Sequence, residues 1–93
     1  MIIEQTARFE EELNIIVNFI ALDSPRRALE FFDKLISKIK EIPQNPYIYR
    51  KRLSSKDENI RELIYKGYTV PFFIDKEAHK IIILGVFNQN IWE

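Results

Sequence analysis

Ninety-three residues fit one small domain around one core, residues 1–93, with no room for a second unit. A 46% hydrophobic and 13% aromatic composition is ample for that core and argues against disorder. With no cysteine, zero net charge and no apolar run of bilayer length, disulfide scaffolds, thiolate catalysis and membrane spans drop out, and the expected address is the cytoplasm.

The charge is unevenly spread. Residues 1–23 hold Arg8 against five carboxylates, whereas residues 43–66 hold six basic side chains against three acidic ones. The densest basic point is Arg50-Lys51-Arg52. A local patch of this kind binds phosphate or an acidic partner even on a neutral protein; a solvated loop is the plainer reading.

In chain order, Met1–Gln5 is β-compatible and short enough to be a strand joining a sheet. Thr6 is a suitable N-cap, and Glu10, Glu11 and Glu12 suit the positive end of a helix dipole better than a metal site. Phe9, Leu13, Ile16 and Ile20 recur at spacings of four, three and four, which predicts an amphipathic helix over residues 7–21, with Ile15 and Phe19 as a second stripe widening its buried face. Asp23-Ser24-Pro25 stops that helix and starts another, with Ser24 as cap and Pro25 in the first helical position. Ala28, Phe32, Leu35, Ile39 and Ile42 carry the second helix to Pro43, and so short a link predicts an antiparallel hairpin.

Pro43-Gln44-Asn45-Pro46 leads the chain out of the helix. Tyr47–Glu58 has no clean period and is the longest irregular segment, the kind of loop on which function concentrates. Its Tyr47 and Tyr49 read as loop anchors more readily than as stacking platforms for bases.

Residues 59–87 predict a three-stranded meander. Ile60–Tyr65 ends at Lys66-Gly67, where glycine supplies the positive φ of a tight hairpin. Tyr68–Ile74 alternates, with Tyr68, Val70, Phe72 and Ile74 on one face and Thr69, Pro71 and Phe73 on the other. Pro71 lacks the N–H of a ladder bond, so a bulge or a strand edge is expected there. Asp75–His79 is a polar hairpin loop, which makes His79, the single histidine, a solvated surface residue. Lys80–Phe87 returns as a nearly unbroken apolar run. A strand apolar on both faces implies that something covers the side away from the helices. Phe73, Ile82, Leu84 and Val86 are the candidates for that partner-binding surface. Arg50, Lys51, Arg52 and Arg61 are the candidates for target binding, with an ion pair or cation–π contact inside the sheet as the structural alternative for Arg61.

The order strand, helix, helix, meander resembles the RelE/ParE superfamily, the toxin halves of type II toxin–antitoxin pairs. The carrying residues are Ser24-Pro25-Arg26-Arg27-Ala28 at the hairpin turn, the Pro43 break, Ile60-Arg61-Glu62-Leu63, Gly67-Tyr68, and Ile81-Ile82-Ile83-Leu84-Gly85-Val86-Phe87. The resemblance implies an α+β domain, a helical hairpin on an antiparallel sheet. It further implies a cognate antitoxin as partner and assembly as a homodimer or toxin–antitoxin hetero-oligomer; the residues themselves, with only Gly67 and Gly85 as glycines and His79 as the single histidine, point to no cofactor or metal. Arg61 with an apolar residue two positions on is similar to the ParE and plasmid-stabilisation branch, whose characterised members bind DNA gyrase.

The ribosome-dependent mRNA endonuclease branch is the alternative, and a decayed toxin that keeps only antitoxin binding is a third reading. Endonuclease relatives often carry arginine directly after Gly-Tyr, where this chain has Thr69, and basic or histidine residues after the last strand, where it has Asn88-Gln89-Asn90. Cleavage by a 2′-hydroxyl needs a proton acceptor, a proton donor and cations for the developing charge, and these side chains supply neither cation nor titration near neutrality.

Overall fold

The structure, a computed structural model, describes residues 1–88. The elements are β1 (Ile2–Gln5), α1 (Ala7–Asp23), α2 (Pro25–Glu41), two single-turn 3-10 helices (Ile42–Gln44 and Pro46–Ile48), β2 (Arg50–Lys51), β3 (Ile60–Tyr65), β4 (Tyr68–Asp75) and β5 (Lys80–Ile83). They form an α+β architecture in which a helical hairpin lies on one face of a five-stranded sheet of order β1-β5-β4-β3-β2. β1 runs parallel to β5, and the other pairings are antiparallel.

Short polar side chains punctuate the helices as their chemistry dictates. The Thr6 hydroxyl accepts from the Phe9 amide (3.1 Å) and donates to the Ile83 carbonyl (2.7 Å), so one residue starts α1 and ties it to the end of β5. Ser24 ends α1 by donating its amide to the Ile20 carbonyl (2.9 Å), and its hydroxyl starts α2 by accepting from the Arg27 amide (3.2 Å). The link between the helices is therefore a single residue.

The core joins Phe9 and Leu13 of α1 and Phe31, Leu35, Ile39 and Ile42 of the α2 region to Leu63, Val70, Phe72, Ile74, Ile81, Ile83 and Val86. Two helix expectations need correction. Ile15 and Phe19 do not widen the buried face; both are exposed, because α2 flanks α1 on the other side, where a groove is lined by Asn14, Val17 and Phe32. In α2 the buried aromatic is Phe31, not Phe32. Phe31 packs 5.9 Å from the Tyr65 ring and 5.1 Å from the Tyr68 ring, and those strand residues decide which of two adjacent phenylalanines turns inward.

The meander forms as expected, with a two-residue turn at Lys66 (φ 48°) and Gly67 (φ 81°) and a loop from Lys76 to His79 in which Asp75 Oδ1 accepts from the Ala78 amide (3.1 Å). His79 is exposed there. Beyond the meander, Arg50–Lys51 forms a fifth strand inside the segment read as irregular.

β5 ends at Ile83, earlier than the apolar run suggests, because the ladder is interrupted opposite Pro71. Phe72 pairs with Ile83, yet the next bridge is Thr69 with Phe87. Three residues, Leu84, Gly85 and Val86, thus oppose two, Val70 and Pro71. That is a β-bulge, as the missing proline N–H predicts. The Pro71 carbonyl still accepts from the Leu84 amide (2.9 Å), while pairing with β3 stays regular through Pro71 and Glu62. The Val86 amide, out of the ladder, donates to Glu12 Oε1 of α1 (3.1 Å).

The extra residue inverts the alternation beyond it. Ile82, Leu84 and Phe87 lie on the face away from the helices, and Val86 turns into the core at 1% exposure. Val86 is therefore removed from the partner-binding candidates, and Phe87 takes the position that strict alternation gives to Val86.

Candidate functional site

The basic edge is built on β2 and β3. Their register pairs Arg50 with Glu62 and Lys51 with Arg61, so alternation sends Arg50, Arg52 and Glu62 to one face and Lys51 and Arg61 to the other. The four candidate target-binding residues do not form one patch.

On the face away from the helices, Glu62 is only 7% exposed and carries the arrangement. One oxygen accepts from Arg50 Nε (2.9 Å) and the other from an Arg52 guanidinium nitrogen (2.6 Å). A buried carboxylate is tolerated only with its charge matched and its lone pairs filled, and two guanidiniums do both while leaving a net positive charge. Arg52 also lies 5.4 Å from the centroid of the Phe87 ring. Arg50 is mostly solvated, so the outward cation is Arg50 and the positioning one is Arg52.

On the opposite face Arg61 holds the loop that enters β2. Its guanidinium donates to the carbonyls of Glu58 (2.9 Å), Tyr47 (3.0 Å) and Tyr49 (3.0 Å). The Tyr47 ring lies between the Arg61 guanidinium (5.1 Å) and Lys76 of the β4–β5 loop (5.4 Å), and its hydroxyl donates to Asn59 Oδ1 (3.0 Å). Tyr49 stands edge-on to Phe72, with centroids 5.4 Å apart at 85°. Both tyrosines anchor the loop, and Arg61 makes the cation–π contact considered as its structural alternative. Lys51 is paired with Glu58 (3.1 Å), and that hydrogen bond, ahead of the charges of Lys51, Arg61 and Lys76, holds the Glu58 carboxyl below its usual pKa. Burial, followed by the charge of Glu41, pushes the Tyr49 hydroxyl up.

Beside the Arg50–Glu62–Arg52 group lies the apolar part of the same face. Phe73 pairs with Ile60 on one side and Ile82 on the other, and all three are half-buried. Leu84 and Phe87, also half-buried, continue the surface beyond Pro71. Phe73, Ile82 and Leu84 are thus brought together as expected, and Glu4 and Lys80, paired at 3.1 Å, border them. Thr69 is buried on this face, opposite Ile64 and Phe87. Of the Asn88-Gln89-Asn90 tail only Asn88, which is exposed, is described; Gln89 and Asn90 lie outside the described residues.

Two participants escaped the sequence reading. Glu62 was legible in principle, as a lone carboxylate alternating into an apolar strand next to a basic cluster. Lys76 carried no signal, because only the tertiary fold brings the β4–β5 loop to Tyr47. Among the described residues no three His, Asp or Glu side chains gather as a metal site, and no helix is long and apolar enough to cross a membrane.

Comparison with known proteins agrees with this architecture. No curated protein sequence matches the chain. Among solved structures, one from the chromosomal ParDE toxin–antitoxin system of P. aeruginosa superposes with a TM-score of 0.77 over 97% of each chain, at 20% identity, which establishes a shared fold. The family model described as the ParE toxin of the type II toxin–antitoxin system parDE matches residues 3–91. Because that match spans nearly the whole chain, strand, hairpin, basic edge and meander together, the protein belongs to the ParE toxin family of type II toxin–antitoxin systems.

Proposed function

We propose that this toxin is restrained by a cognate antitoxin and acts by binding its target, DNA gyrase as the family resemblance implies, without breaking a phosphodiester bond. The observation that carries this reading is Thr69. It occupies the position after Gly67-Tyr68 where endonuclease relatives carry arginine, and it is buried, with its backbone bridged to Phe87. The neighbouring carboxylate, Glu62, has both oxygens engaged by guanidiniums, which leaves it poorly placed to accept a substrate proton. Arg50 and Lys51 supply exposed cations for an acidic target surface, while Arg52 and Arg61 hold the edge in shape. The half-buried Phe73, Ile82 and Leu84 form the antitoxin surface, where apolar burial drives association.

The test runs in two reactions. Purified protein should inhibit DNA supercoiling by gyrase and leave messages in a translation reaction uncut. Codon-phased cleavage on translating ribosomes that disappears in the Arg52→Ala variant would overturn the binding mechanism in favour of the nuclease one.

A further inference from the structure

The bulge opposite Pro71 leaves two backbone groups outside the β4–β5 ladder, and side chains at the start of α1 meet both. Proline has no N–H to donate across to Leu84, and the Leu84 carbonyl instead shares the Thr6 hydroxyl (3.2 Å) with the Ile83 carbonyl. Further along, the Val86 N–H faces α1 at a level where β1 has already ended, since the last β1 pair is Gln5 with Ile83. Glu12 Oε1 accepts that N–H at 3.1 Å, while Glu12 Oε2 lies 3.4 Å from Arg8 Nε one turn back. Val86 is buried, and a buried N–H that loses its acceptor costs at least as much as a lost hydrogen bond.

The bulge decides which side chain faces outward. Regular pairing beyond Pro71 would set Val86 opposite Thr69, turning Val86 outward and Phe87 toward the core. The observed bridge sets Phe87 opposite Thr69, with both backbone bonds made (2.9 and 3.0 Å). The Phe87 ring then stands 5.4 Å from the Arg52 guanidinium, and Arg52 and Arg50 hold the two oxygens of Glu62. We propose that Glu12 is a positioning residue for the basic edge. From the helical layer it fixes the bulged register, which sets Phe87 against Arg52 and, through Glu62, orients the outward cation, Arg50. The functional part rests on the reading of Arg50 as a target-binding cation, whereas the register part stands on the backbone alone.

NMR on the full chain tests the register. The wild-type protein should show a through-space contact between the Thr69 and Phe87 amides, and Arg52 side-chain resonances displaced by the Phe87 ring. Glu12→Ala should replace that contact by one between the Thr69 and Val86 amides and return the Arg52 resonances toward solvent values. Alanine favours the helix at least as well as glutamate, so α1 is preserved. Glu12→Gln keeps an acceptor oxygen without the charge and should restore both signals. In the supercoiling reaction, Glu12→Ala should weaken inhibition by about tenfold, Phe87→Ala likewise, and the double variant no further than either alone. An unchanged Thr69–Phe87 contact in Glu12→Ala, or a Gln variant that behaves as the Ala variant does, would overturn the proposal. So would a shifted register with inhibition at wild-type strength. A wild-type protein without effect on gyrase would count against the target instead, and the Arg52 resonances would then decide the positioning role alone.

Discussion

Glu62 shows how one side chain can organise a surface. Its carboxylate is buried between two guanidiniums of unequal exposure, and the energetic weight follows burial. Removing one partner of a buried pair strands the other charge, whereas exposed pairs contribute little. Glu62→Gln should therefore destabilise the fold by about 3 kcal/mol, and Arg50→Ala by less than about 1 kcal/mol. Urea denaturation reads both, through shifts in midpoint at constant slope. Tyr49 adds a pH dependence with a defined sign. Its pKa is raised in the folded chain, so the folded state holds the phenol proton more tightly than the unfolded state does. The resulting stability is fully present below about pH 10, the ordinary tyrosine value, and is lost as pH rises through the folded pKa. Tyr49→Phe should flatten the alkaline limb of a stability–pH profile; an unchanged limb would remove Tyr49 as its source.

At the scale of elements, the β3–β4 hairpin pairs a fitting residue with a poor one. Both turn residues have positive φ, as a type I′ turn demands, and only Gly67 adopts it without steric cost. A Cβ at Gly67 would meet nothing within 4 Å, so Gly67→Ala isolates the conformational penalty, expected at about 1 kcal/mol or more. Lys66→Asn should instead stabilise by about 0.5 kcal/mol, because asparagine enters the left-handed region more readily. Thermal unfolding of the two variants should move in opposite directions. In α2, adjacent phenylalanines make a matched pair. Phe31→Ala should cost about 3–5 kcal/mol by opening a cavity beneath Tyr65 and Tyr68, and Phe32→Ala no more than about 1 kcal/mol. Equal losses would mean that both rings share the core.

Across the whole molecule, the sheet separates two roles. One face is filled by the helical hairpin and carries stability. The other holds a row of half-buried apolar side chains beside the Arg50–Glu62–Arg52 group. If that row receives the antitoxin, Leu84→Glu should weaken antitoxin binding by about tenfold or more without lowering the melting temperature, because Leu84 lies outside the core cluster. Val86→Glu, one bulge away, should instead unfold the protein, since it forces a carboxylate into the core. Calorimetric titration with the antitoxin separates these outcomes, and unchanged affinity for the Leu84 variant would give the face another purpose.

Much of this was determined locally. Ser24 followed by Pro25 sets the helix break, Gly67 the hairpin, and period-two alternation the inner face of β4, because each depends on the conformational limits of residues adjacent in the chain. The bulge was legible too, since a proline in a middle strand has no N–H to give. Other features depend on what lies across space. Phe31 and Phe32 fit the helical period equally, and Tyr65 and Tyr68 choose between them. Val86 and Phe87 exchange faces because the bulge adds a residue, and its consequence for register appears only when both strands are in place. Arg50, Lys51, Arg52 and Arg61 read as one basic patch along the chain. Pairing β2 with β3 divides them between two faces, since neighbours in an extended strand point in opposite directions and only the sheet gives those directions different surroundings.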